Sequence, residues 1–236
     1  MKNISTYISE KLKISSTKPT HTYKPNNYDE LSNIIEELID KRGLIADLND
    51  VDTSKITNMH GLFYIGFQNI RNIDISEWDV SNVRDMGQMF MWCERFNCDI
   101  SEWNVSNVDN TSYMFDGCRN FNCDLSDWNV SNVENMEGMF EGCNSFNSNI
   151  SEWNVSKVDN MSGMFEWCRN FNSNISKWDV SKVTNMNDMF YDCQKFNYDL
   201  SDWNISKVKD MENMFHGCKS LKTIPTWYET WYKNNA

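Results

Sequence analysis

Trp78, Trp103, Trp128, Trp153, Trp178 and Trp203 recur every 25 residues without a slip. Phe90, Phe115, Phe140, Phe165, Phe190 and Phe215 keep the same step, as do Cys93, Cys118, Cys143, Cys168, Cys193 and Cys218. One unit reads WNVSKVDNMSGMFEWCRNFNSNIS, from Trp153 to Ser176, plus one variable residue. Its apolar positions are Trp153, Val155, Val158, Met161, Met164, Phe165, Cys168, Phe171 and Ile175. That set furnishes one apolar side of a coil but not a closed interior. A unit this short buries its apolar side only against copies of itself, and stacked copies make a solenoid with one continuous core. Trp, Phe and Cys then form columns, one member per coil.

The path of one coil follows from local spacing. Val158, Met161, Met164, Phe165 and Cys168 mostly fall three or four apart, which predicts a short helix or 3₁₀ segment ending near Cys168. Ser156 to Asp159 and Ser131 to Glu134 resemble capping boxes just ahead of that run. Trp153 and Val155 alternate with polar neighbours, which predicts a short strand, kinked after Ile150. Such strands in successive coils would stack in parallel, about 4.8 Å apart.

Both ends depart from the repeat. Ile56, Met59, Leu62 and Phe63 match Val158, Met161, Met164 and Phe165, but Val51 stands where Trp is due and the step to Trp78 is 27. Upstream, Leu31, Ile34, Ile35, Leu38 and Ile39 form one stripe at helical spacing. Asn27 suits the N-cap of that helix, and Gly43 suits its stop. Downstream, Pro225, Trp227, Tyr228, Trp231 and Tyr232 follow once the pattern fades after Leu221. The ends of a solenoid expose core and need covers. The expected organisation is an arm over residues 1–26, a capping helix and connection over 27–50, about seven 25-residue repeats over 51–224, and an aromatic cap over 225–236. A partner-binding helix and an aromatic docking patch are the alternative uses of the two ends.

The unit WxVSxVxxMxxMFxxCxxFNxxIS resembles the BspA-like leucine-rich repeat family of bacterial surface proteins, over about residues 51–224. The MFxxC core recurs in all six Trp-anchored coils, and Thr111 replaces the preceding Met in one of them. The resemblance implies a leucine-rich-repeat-like α/β repeat solenoid, with short parallel strands stacked with short helices or 3₁₀ turns and an N-terminal helical cap. It also implies a chain that binds proteins or surfaces and catalyses nothing. Many such relatives are exported adhesins. Here MKNISTYISEKLKISS lacks the apolar h-region of a secretory signal, and no anchor is legible. The expectation is therefore an intracellular or virion-associated chain in preference to one on a cell surface.

Composition narrows the chemistry. The 236 residues carry 22 Lys and Arg against 34 Asp and Glu, a net charge of −12. Such a chain repels phosphate, which argues against a nucleic-acid partner. No apolar run is long enough to span a bilayer, so membrane insertion is not expected. His21, His60 and His216 share no frame, and no phosphate loop, dinucleotide fingerprint or nucleophile elbow is present. Carboxylates recur as columns, whereas acid–base catalysis needs two different environments. The chain is read as a non-enzyme with no cofactor.

The column cysteines lack CxxC spacing and a nearby His, so they are read as reduced core thiols and not as metal ligands. Cys98 and Cys123 form a second short column continued by Ser148 and Ser173, and a bridge between these two cysteines is the alternative in an oxidising compartment. Asn97, Asn122, Asn147, Asn172 and Asn197 follow the second Phe and are expected to form a structural ladder.

Specificity belongs to the variable positions. Glu102, Asp127, Glu152 and Asp202 precede the Trp, Asp99, Asp124 and Asp199 precede the Ile/Leu column, and Asn104, Asn129 and Asn154 follow the Trp. Flanking the expected strand, they predict an acidic, amide-rich face on which a protein partner with basic groups, or a glycan, could dock. The plain alternative is a surface kept soluble. The expected function is a non-catalytic protein–protein interaction scaffold, with a surface adhesin or glycan-binding protein and a structural self-assembly unit as alternatives.

Overall fold

A computed structural model describes residues 21–64, 67, 70 and 73–235. The expected N-terminal arm thus lies, up to residue 20, outside the described residues. The chain winds into stacked coils. Parallel bridges join Asn58 to Asp85, Asp85 to Asn110, Asn110 to Asn135, Asn135 to Asn160, Asn160 to Asn185 and Asn185 to Asp210. The first step is 27 residues and the rest are 25, which places the two extra residues before Asp85.

Two features differ from the expected coil. Among the described residues there is no strand longer than a single bridge, and from Asn58 to Asp210 the coil-to-coil bridges run through the Asn160 column instead of Trp153. Nor does a helix lead to Cys168. The segment is a train of turns: the Met164 N–H donates to the Met161 carbonyl (3.2 Å) and the Cys168 N–H to that of Phe165 (2.9 Å). The alternate N–H groups cross to the next coil, Met161 to Asn185 (3.0 Å), Gly163 to Asn187 (2.9 Å), Phe165 to Met189 (3.0 Å) and Trp167 to Tyr191 (2.7 Å). Gly163 and Trp167 are left-handed, at φ +60° and +63°. A right-handed helix cannot continue through such residues. Each one turns the chain so that its N–H faces a neighbouring coil. Consequently the three-and-four spacing records repeated turns with their apolar corners inward. Ser156 and Ser131 cap no helix; their N–H groups donate to Asn154 Oδ1 (3.1 Å) and Asn129 Oδ1 (3.2 Å).

Columns hold the stack together. Phe90, Phe115, Phe140, Phe165, Phe190 and Phe215 stack at 5.7–5.8 Å with nearly parallel rings. Phe121, Phe146 and Phe171 make a second pile at 6.0–6.1 Å. Within one coil Phe165 and Phe171 lie 4.0 Å apart. Apart from Phe215 at the last coil these rings are fully buried, and each contributes about 1.5–3 kcal/mol by leaving water. Every column indole satisfies its N–H on the preceding coil: Trp128 donates to Ile100 O (3.0 Å), Trp153 to Leu125 O (2.9 Å) and Trp178 to Ile150 O (3.1 Å). The column thiols do likewise, Cys143 to Phe115 O (3.0 Å) and Cys168 to Phe140 O (2.8 Å).

Helix α1 (Tyr28–Arg42) begins at Asn27, whose side chain accepts the Glu30 N–H, and ends at Gly43, at φ +86°. Its buried Leu31, Ile35, Leu38 and Ile39 join the same apolar core as the coils. Arg42 anchors its end, with both guanidinium branches 2.8 Å from Asp50. Helix α2 (Thr226–Asn235) follows the last coil. Its Trp227 N–H donates to Leu200 O (3.1 Å), taking the place that the next column indole would hold. No described helix is long and apolar enough to cross a membrane.

Candidate functional site

The acidic face read from the sequence is exposed, but much of it is occupied by its own backbone. Asp99, Asp124 and Asp199 accept the N–H of Ser101 (3.1 Å), Ser126 (3.0 Å) and Ser201 (2.9 Å). Asn104, Asn129 and Asn154 accept the N–H of Ser106, Ser131 and Ser156. These are turn-closing bonds, which fix each bend of the coil. Glu102, Asp127, Glu152 and Asp202 remain exposed and free of that task. Glu152 borders a shallow depression of about 310 Å³ with Asn174, Lys177 and Tyr198.

A larger groove lies elsewhere, on the MFxxC side of the coil, and holds none of those ten residues. It encloses about 860 Å³ across four successive coils. Trp92 and Trp167 wall it, and they are 50% and 48% exposed, whereas the column indole Trp153 is 4% exposed. The two wall residues occupy equivalent positions three coils apart. Gly117 and Gly142 hold that position in the two coils between them. Both are left-handed, at φ +72° and +67°, and a Cβ on Gly117 would lie 2.8 Å from the Trp92 ring. Two absent side chains therefore open the space that two indoles enclose.

The floor is carboxylic. Asp116, Glu141 and Glu166 stand one per coil just before the wall position. Asp116 is buried, and its Oδ2 accepts the Trp92 indole N–H at 3.2 Å. Burial pushes the Asp116 carboxyl up to about 6. Burial first, then the neighbouring Asp116 and Glu166 charges, pushes Glu141 up to about 7. Glu166 rises for the same reasons, burial and then Asp188. Three arginines line the rim. Arg119 pairs with Glu94 (3.4 Å) and Arg169 with Asp192 (3.1 Å). Among the described residues no cation pairs with Asp116, Glu141 or Glu166. Asn144, also in the lining, keeps a buried Oδ1 without a hydrogen-bond donor.

Residues 30–153 and 117–231 match the family model described as Mycoplasma protein of unknown function, DUF285. The chain belongs to the DUF285 family. No curated protein matches this DUF285 chain. Among solved structures it is similar to a leucine-rich repeat protein from Eubacterium ventriosum, at 15% identity and a TM-score of 0.46. The match covers 74% of the DUF285 chain and 43% of that protein, so the chain spans less than half of its relative. A weaker likeness is to the functional domain of InlJ from Listeria monocytogenes, described as including a cysteine ladder, at 10% identity and a TM-score of 0.19, over 74% and 48% of the two chains.

In the DUF285 chain no disulfide joins the six thiols of the main column. Burial pushes Cys93 and Cys98 up to about 12 and holds Cys118, Cys143, Cys168 and Cys193 well above the usual thiol range. Cys98 donates to Ile73 O and Cys123 accepts the Ile100 N–H (3.5 Å). Ser148 and Ser173 accept the equivalent N–H groups of Leu125 and Ile150, which explains why Ser continues that column. The Asn ladder is in place: each side-chain oxygen accepts the backbone N–H of the next copy, Asn122 to Asn147 at 2.8 Å and Asn147 to Asn172 at 2.7 Å.

Helical spacing makes the two positions inside MFxxC look like mere spacers, which is why the sequence pattern alone does not point to the groove residues. A signal was there. The wall position runs Trp, Gly, Gly, Trp, Asp, Gly along the six coils, while the positions on either side of the MFxxC spacer stay constant.

Proposed function

We propose that this chain is a non-catalytic protein–protein interaction scaffold, and that the Trp92–Trp167 groove is where the partner sits. One observation carries the reading: two half-exposed indoles flank carboxyls that, among the described residues, pair with no cation. Exposed tryptophan in a concave setting is the residue type that most often anchors a protein interface. A binding role also suits the carboxyls. Asp116, Glu141 and Glu166 shift the same way, whereas acid–base chemistry needs a pair driven apart. The resemblance to BspA-like repeats agrees with recognition. The acidic face around Glu102 and Asp127 becomes a solubilising surface on this reading.

The test is a pull-down from the producing cell with the whole chain and with Trp92→Ala/Trp167→Ala. At least one protein should be recovered by the parent and lost with the double variant. An unchanged set of proteins would remove the groove as the site. Recovery of no protein at all, with retention on a neutral glycan array, would replace the scaffold with a glycan binder.

A further inference from the structure

The groove has a length, a spacing and a carboxylic floor that, among the described residues, pairs with no cation, and together these describe its occupant. We infer that it receives an extended segment of a partner protein with Lys or Arg at alternate positions, lying along the solenoid axis between Trp92 and Trp167. This deepens the scaffold reading and rests on it.

Coils stack at about 4.8 Å, so the two indoles, three coils apart, stand about 14 Å from each other along the axis. In an extended chain, residues i and i+4 are also about 13–14 Å apart, and residues i, i+2 and i+4 share one face. Four residue steps therefore carry an extended chain from one wall to the other, with residues i and i+4 beside the two indoles, i+2 between them, and all three directed at the floor. The floor offers three carboxyls, Asp116, Glu141 and Glu166. Of the rim arginines Arg95, Arg119 and Arg169, the last two hold Glu94 and Asp192, and among the described residues none pairs with a floor carboxyl. Glu137 and Asp188 add negative charge behind Glu141. A basic side chain entering the groove meets acids that otherwise repel one another, and the flanking ring faces attract cations further. An acidic segment meets the opposite conditions. A neutral glycan could use the rings but leaves the carboxyls crowded.

The experiment measures fluorescence anisotropy of labelled 12-residue peptides with the intact chain. The alternating Lys–Ser peptide should bind, and an alternating Glu–Ser peptide should not. Glu141→Gln/Glu166→Gln, which keeps side-chain shape, should weaken the Lys–Ser peptide at least tenfold. Glu102→Gln/Asp127→Asn removes the same charge from the other face and should change binding less than twofold. Equal losses from both double variants would mean attraction to net charge alone and would overturn the inference. Failure of the Lys–Ser peptide, alongside loss of a protein partner with Trp92→Ala/Trp167→Ala, overturns the basic segment and leaves the scaffold standing. Failure of both overturns the two together.

Discussion

Trp153 and Trp167 sit fourteen residues apart in one coil, with opposite fates. Trp153 is buried, stacks 6.5 Å from Trp178 and gives its N–H to the coil before it. Trp167 is half exposed, left-handed in its backbone, and presents its ring to an open groove. The first repeats in every coil from Trp78 to Trp203; the second returns only at Trp92. What repeats without exception makes the stack. What breaks the period, on a backbone that still repeats, is free to make a site.

That contrast can be broken by measurement, and the largest effect comes first. Trp153→Ala leaves a large cavity and strips a carbonyl of its donor, so urea unfolding should show a loss of about 3–5 kcal/mol. Trp167→Ala should stay within about 0.5 kcal/mol in the same assay, as surface changes do. Comparable losses from both would erase the distinction between stacking indole and site indole.

Gly117→Ala should cost about 1–3 kcal/mol, because the position is left-handed and its Cβ meets the Trp92 ring. Ser145→Ala, exposed in the following coil, is the matched control and should be silent. A silent Gly117→Ala would show that Trp92 is not held where the groove needs it.

Glu141 sharpens the comparison through pH. Its folded carboxyl lies near 7, above the ordinary 4.5, so the folded state holds the proton more tightly than the unfolded one. Stability is then lost as pH rises from about 4.5 through 7. Glu141→Gln should be neutral at pH 4 and stabilising by about 1–2 kcal/mol at pH 8, after allowance for its partial exposure. Urea midpoints at the two pH values check this, and a larger gain at pH 4 reverses the sign and rejects the crowded floor.

The smallest effect belongs to the other face. Glu102→Ser should move the urea midpoint within error, whereas Asn104→Ala, which loses the bond to the Ser106 N–H, should cost about 0.5–1 kcal/mol. Equal effects would mean that the turn bonds contribute nothing to the coil.

Much of the architecture was legible because burial and period are properties of composition along the chain. The Trp, Phe and Cys columns, the Asn ladder, helix α1 with its Asn27 and Gly43 ends, and the two-residue insertion all follow from position. The path inside the coil was not legible. Spacing of three and four is shared by a helix and by a train of turns, and only the left-handed residues separate them. Among the described residues seven of those are not glycine, Trp92, Trp167 and Asp188 among them, so composition gave no warning. The groove was hidden for the same reason. Its walls stand on residues that a helix would have pointed elsewhere, and its emptiness is written as two glycines that a spacer reading passes over.

Trp227 of α2 reaches Leu200 as each indole of the column reaches the coil behind it. The closing helix thus needs nothing beyond the last complete turn in order to dock. Duplicating or deleting a 25-residue unit away from the groove would lengthen or shorten the rod while leaving both terminations chemically satisfied. Rod length becomes a quantity that recombination within the gene can adjust in whole steps, and the reach of whatever the groove holds would change with it.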